Sequence, residues 1–163
     1  MNKIKSKFLI LIMVLIFATT TIVLSNTKDT TKVILKNVET GEILFSNEVE
    51  LEDQLKFTWI HSIDKLPWME YFEVTDNQEL KLNKVVIQDF GAGVPHNLGN
   101  NYEIRDGKIL FTEINKAYQK YEWLSSQIAL EKVELNGNTI ITKEKSKDFQ
   151  RLKLFLQTVK TPF

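Results

Sequence analysis

The chain holds two histidines, His61 and His96, and no cysteine. Groups that can move a proton near neutral pH are therefore few. One of them lies in an unusual stretch, running from Trp59 through His61, Ser62, Asp64, Pro67 and Trp68 to Glu70 and Phe72. A carboxylate beside an imidazole fixes its tautomer and favours its protonated form. Such a pair suits general-base work or the gripping of an anion. Read with a period of two, Leu55, Phe57, Trp59 and His61 share one face. Trp68, Glu70, Phe72 and Val74 share one face on the return. A four-residue loop over positions 64–67 sets His61 opposite Glu70, Trp59 opposite Phe72 and Phe57 opposite Val74. The expectation is an imidazole and a carboxylate facing each other at the open end of an aromatic stripe.

Ser62 points to the other face of the same strand. A Ser-His-Glu hydrolytic set therefore needs a β-bulge at His61 to form. Further along, Gly91-Ala92-Gly93-Val94-Pro95 breaks regular structure, because its glycines permit positive φ and Pro95 forces Val94 out of the helical region. Such a loop can turn backbone N–H groups towards an anion, or simply make a corner. A metal would have to recruit His61, His96, Glu70 and Asp89, a set without short ligand spacing. No cofactor is called for. The purely structural alternative for the His61–Glu70 pair is a polar link that pins the hairpin register.

These residues need a scaffold of strands. Positions 32–38 and 43–49 alternate around a turn at Glu39-Thr40-Gly41-Glu42, and positions 79–90 form a long apolar stretch containing Val85-Val86-Ile87. Asp106-Gly107 and Asn136-Gly137 are the dipeptides of tight type I′ hairpins. Positions 118–124 read as one more strand. About nine to ten short strands result, an all-β fold built as an antiparallel sandwich or a small barrel. From Lys143 the period changes: Phe149, Leu152, Phe155 or Leu156, and Val159 recur at helical spacing among basic residues, predicting a C-terminal amphipathic helix. Three segments follow, 1–25, 26–142 and 143–163.

The first segment has Lys3, Lys5 and Lys7 ahead of an apolar run over positions 8–24. This is the layout of a secretory signal, or of an uncleaved membrane anchor, and it places the body outside the cytoplasm. The formal net charge of zero hides an asymmetry. Positions 26–142 carry 12 Lys and Arg against 19 Asp and Glu, while positions 143–163 carry 6 against 2. An acidic body argues against nucleic acid as partner. The basic tail suits an anionic membrane face, a partner groove, or the acidic body itself.

His61-Ser62-Ile63, then Pro67 and Glu70, then Phe90 to Pro95 resemble the signature of a bacterial family catalogued as domain of unknown function eighteen-fifty. That signature runs His-Ser-Val, Pro, Glu, Gly-Ala-Gly-Leu-Pro. Ile63 and Val94 are the two mild departures, and the basic tail lies outside the resemblance. Members look like small exported proteins, often encoded beside permeases of TAXI-type TRAP transporters, which import organic acids. The resemblance carries no catalytic residue. It does imply that His61, Ser62, Glu70, Gly91, Ala92, Gly93 and Pro95 meet in space as a ligand or partner site. The resulting reading is an exported, non-enzymatic accessory module that binds a small anionic ligand or a TRAP-type transporter component. The alternatives are a small hydrolase, with His61 as base oriented by Glu70, and a purely structural envelope protein.

Overall fold

The computed structural model describes residues 7–17, 27–88, 98–99 and 101–162. Residues 7–17 form a helix. Twelve strands follow: β1 (Thr27–Asn37), β2 (Ile43–Glu48), β3 (Gln54–Ile60), β4 (Pro67–Val74), β5 (Leu80–Ile87), β6 (Asn101–Arg105), β7 (Lys108–Thr112), β8 (Lys116–Tyr118), β9 (Lys120–Leu124), β10 (Leu130–Leu135), β11 (Asn138–Thr142) and β12 (Arg151–Pro162). The chain divides into two compact units, one of Thr31–Gln157 and one of Met1–Thr30 with Thr158–Phe163.

In the larger unit the strands make two open sheets rather than a closed barrel. One has the order β2-β1-β12-β9, the other β11-β10-β3-β4-β5-β7-β6, with β8 also paired to β5. The pairings β1–β2, β9–β12, β3–β4, β4–β5 and β6–β7 are antiparallel, and the inner faces share one core. Leu55, Phe57, Phe72, Val85, Phe111 and Val133 enter it from the larger sheet; Val33, Leu35, Leu152 and Leu154 enter from the smaller. Each fully buried side chain of this size contributes about 1.5–3 kcal/mol relative to exposure.

The turns form where local chemistry demands them. Asp106 and Gly107 both have positive φ, as do Asn136 and Gly137. Register runs directly across each dipeptide, Arg105 to Lys108 and Leu135 to Asn138, so both are tight two-residue hairpins. Positions 118–124, expected as one strand, are divided between the sheets. Tyr118 pairs with Leu80 in the larger, and positions 120–124 pair with β12 in the smaller. The polar positions 27–31, ahead of the first expected strand, are already part of β1.

The expected C-terminal helix is a strand. Leu152, Leu154 and Leu156 are buried at every second position, while Arg151 and Gln157 are exposed. Both periods are present in this segment, and the sheet decides between them. β12 lies between β1 and β9, where only an extended chain can satisfy the backbone groups of both neighbours. A lone helix of this length is marginal in water. Its leucines are therefore core rather than an exposed apolar stripe, and the boundary expected at Thr142 falls inside the larger unit.

In the smaller unit, Phe8, Leu9, Leu11 and Leu15 of the helix are exposed. No helix among the described residues is long and apolar enough to cross a membrane. Thr30 Oγ1 and Thr161 Oγ1 share a hydrogen bond of 2.7 Å.

Because Leu154 is fully buried, Leu154→Ala is expected to cost about 2–5 kcal/mol. A chain ending at Thr142 is expected to lose cooperative unfolding altogether. Urea titration followed by tryptophan emission measures both, and a Thr142-ended chain with an intact transition would refute the placement of β12.

Candidate functional site

The central hairpin closes two residues earlier than the sequence pattern suggests. His61 N–H donates to Leu66 O at 2.9 Å and Lys65 N–H donates to His61 O at 3.0 Å, so positions 62–65 form the loop. Lys65 supplies the positive φ that the turn requires. Pro67 becomes the first residue of β4, a position that tolerates a missing N–H. The register is Trp59 opposite Trp68, Phe57 opposite Glu70 and Leu55 opposite Phe72. Moving the loop centre by two residues displaces each facing partner by four, an even number. The shared face survives, but His61 and Glu70 separate by about 13 Å along the strand.

Glu70 does not orient His61. Its carboxylate receives three other donors: Trp59 Nε1–H at 3.2 Å on Oε2, Trp68 Nε1–H at 3.2 Å on Oε1, and Tyr121 O–H at 2.6 Å on Oε2. Tyr121 belongs to β9 of the smaller sheet, so this last bond ties one sheet to the other. Around it Tyr121 packs on Phe57 and Phe72, with ring centroids 4.9 and 5.0 Å apart, and Trp123 packs edge-on to Phe57 and Trp59. Burial, then the charge of Glu70 and the hydrogen bond to it, push the Tyr121 phenol far above its ordinary 10.0. Chemically this is a carboxylate held by neutral donors, an arrangement that fixes geometry. The alternation of Tyr121 and Trp123 within an aromatic strand was the signal for it.

His61 finds a different acid. Asp64 Oδ2 lies 3.0 Å from its Nδ1. The approach is off the line of the ring N–H, so the contact is electrostatic and not a formed hydrogen bond. The imidazole lies nearly parallel to the Trp68 indole, centroids 6.4 Å apart. His61, Asp64, Trp68, Ile87 and Gln88 bound a hollow of about 10 Å³, room for about one water. Ser62 is exposed at the tip, away from this hollow. Gly91, Ala92, Gly93 and Pro95, with Asp89 and His96, lie outside the described residues. Gln88, the last described residue before them, lines the His61 hollow.

A larger hollow, about 280 Å³, lies elsewhere on the larger sheet. Gln54, Tyr71, Glu73, Asn83, Lys84 and Thr112 line it. It opens where a bulge at Asn83 interrupts the pairing of β4 with β5. Asn83 Nδ2–H donates to Glu73 at 2.9 Å, and Lys84 Nζ sits 4.1 Å from the Tyr71 ring centroid. The sequence offered no sign of it, because a bulge is a property of paired strands.

The fold and hairpin define an all-β sandwich whose hairpin tip carries an imidazole against an acid. The domain of unknown function DUF1850 matches residues 55–141, more than half of the chain, and the protein belongs to that family. The matched stretch runs from β3 to β11, leaving β1, β2 and β12 outside it. No curated protein and no solved structure matches the chain.

Glu70→Leu leaves three donors without their acceptor and is expected to cost about 1–3 kcal/mol. His61→Ala, at a half-exposed tip, should cost markedly less. Denaturant unfolding of both variants checks the order, and the reverse order would show that Glu70 is not the organising acceptor.

The raised phenol also fixes a pH dependence. The unfolded chain releases the Tyr121 proton near its ordinary value, while the folded chain keeps it. Stability from this group is complete below about pH 10 and is lost as pH rises further. Unfolding free energies compared at about pH 9 and about pH 11 should fall more steeply in the wild type than in Tyr121→Phe. Equal slopes would remove Tyr121 as the cause.

Proposed function

We propose that this protein is an exported, non-enzymatic accessory module, tethered by its N-terminal segment, that docks a component of a TRAP-type organic-acid uptake system through the His61 hairpin tip. The observation that carries the reading is the size of the hollow at His61, about 10 Å³. A substrate needs far more room than one water occupies. An exposed tip, with Ile63 62% exposed beside Ser62, suits contact with a partner surface better. Glu70, the orienter expected of a hydrolase, is held instead by Trp59, Trp68 and Tyr121. Gly91, Ala92, Gly93 and Pro95, which belong to the same signature as His61, are counted in this reading among the docking residues. Export is supported by Lys3, Lys5 and Lys7 ahead of the apolar run, and by the exposed apolar side chains of the helix over 7–17.

A second reading rests on the hollow at the Asn83 bulge. Its volume of about 280 Å³ and the Lys84 ammonium over Tyr71 fit a small organic anion. Lys84→Ala separates the two readings, since it should weaken anion binding and leave partner docking intact.

A reporter fused after Ser25 should be active only outside the cytoplasm. Co-expression with a TAXI-type TRAP permease should give co-purification, reduced at least tenfold by His61→Ala while the urea midpoint is kept. Co-purification that survives His61→Ala would move the docking surface elsewhere.

A further inference from the structure

The bulge at Asn83 brings two opposite charges to one hollow without letting them pair. Along a regular strand, consecutive side chains point to opposite faces. In β5, Leu82 faces Phe72 and Lys84 faces Tyr71, so Asn83 is the extra residue. Asn83 and Lys84 consequently line the same hollow of about 280 Å³. β4 adds Tyr71 and Glu73 to it, β3 adds Gln54 and β7 adds Thr112. All four strands belong to the larger sheet, and these side chains alternate with its core residues Leu55, Phe72 and Phe111.

Each charge is held in place but not neutralised. Glu73 Oε2 accepts from Asn83 Nδ2–H at 2.9 Å, which leaves Oε1 open. Lys84 Nζ rests 4.1 Å from the Tyr71 ring centroid, a contact that positions an ammonium without using up its three N–H donors. Among the described residues neither Glu73 nor Lys84 forms an ion pair. Lys56, 5.8 Å from the same ring, is paired with Glu134 at 3.4 Å. Lys81 faces Glu73 across the strands but lines no part of the hollow. Inside the hollow there is one carboxylate and one ammonium.

Two positioned, opposite and unpaired charges suit a ligand that carries both. A plain carboxylate could meet Lys84, but its charge would then share a small site with Glu73, and like charges in one site are costly. A plain amine meets the converse problem at Lys84. The volume is close to the lower end of small-molecule pockets, about 300 Å³, so both groups must sit on one short skeleton.

We infer that the ligand of this hollow is a free α-amino acid, its carboxylate on Lys84 and its ammonium on Glu73. The inference rests on the second reading above, in which the hollow binds a small organic anion, and it names the anionic group as that carboxylate. Gln54 and Thr112 offer an amide and a hydroxyl to further polar atoms of the ligand. The bulge is what makes the site, because a regular β5 would turn either Asn83 or Lys84 to the other face.

Three matched probes test the assignment: alanine, propionate, which lacks the ammonium, and ethylamine, which lacks the carboxylate. Each is titrated into the isotope-labelled full chain while amide resonances are followed. Alanine should shift the amides of Glu73, Asn83 and Lys84 and leave Ser62, at the hairpin tip, unmoved. Propionate and ethylamine should each bind at least about tenfold more weakly. Glu73→Gln keeps an acceptor for Asn83 and loses the charge, so it should weaken alanine about tenfold and spare propionate. Lys84→Gln should weaken alanine and propionate alike, and unchanged urea midpoints show that both variants keep the fold. Propionate or ethylamine binding as tightly as alanine, or alanine indifferent to Glu73→Gln, overturns the amino-acid assignment. Propionate binding that is lost in Lys84→Gln would in that case leave the anion site of the second reading standing. The absence of any shift at these amides with all three probes overturns both.

Discussion

The carboxylate of Glu70 is the interaction on which the rest of the larger unit depends. It is half-buried and satisfied entirely by neutral donors, two indoles from its own sheet and the Tyr121 phenol from the other. Apolar contacts between two sheets tolerate sliding, because dispersion and burial are not directional. A hydrogen bond to a charged acceptor is directional and short. At 2.6 Å, the Tyr121–Glu70 bond fixes how β9 sits over the β3–β4 hairpin. The aromatic rings that surround it, Phe57, Phe72, Trp59 and Trp123, then pack in one arrangement rather than several.

That latch also sets the roles of the two acids near the hairpin. With Glu70 committed inward, Asp64 is the acid that meets His61 among the described residues, and the pair it makes lies at the rim. The polar residues of the tip are therefore free to meet something outside the protein. The family match covers the strands that carry both features, β3 and β4, together with β9. The smaller sheet is completed by segments on either side of the matched region. β12 travels from the C-terminal end of the chain to lie between β1 and β9, so the fold is closed only once the last strand is in place.

Much of the β architecture is legible in the chain itself. The type I′ dipeptides at positions 106–107 and 136–137, the turn at Gly41 and the alternation through β3 and β4 all act locally. Their effect does not depend on what lies across the core. The shared face of His61 and Glu70 is also local information, since side-chain parity is a property of one strand. For that reason it survived a two-residue shift of the loop. The partner of each residue is not local. It followed from where Lys65 could take a positive φ and where Pro67 could stand, and from Trp59 and Trp68 both reaching one carboxylate.

Local pattern was enough to place most of the strands, their tight turns, and which side chains share a face. These follow from backbone sterics and a period of two. Only the tertiary structure decided that Glu70 belongs to Tyr121 and not to His61, because that bond joins residues 51 positions apart on different sheets. It likewise decided that the last segment is a strand. Leu152, Leu154 and Leu156 fit a helix as well as a sheet when read alone, and the open slot between β1 and β9 supplies the hydrogen-bond partners that make the extended form the stable one.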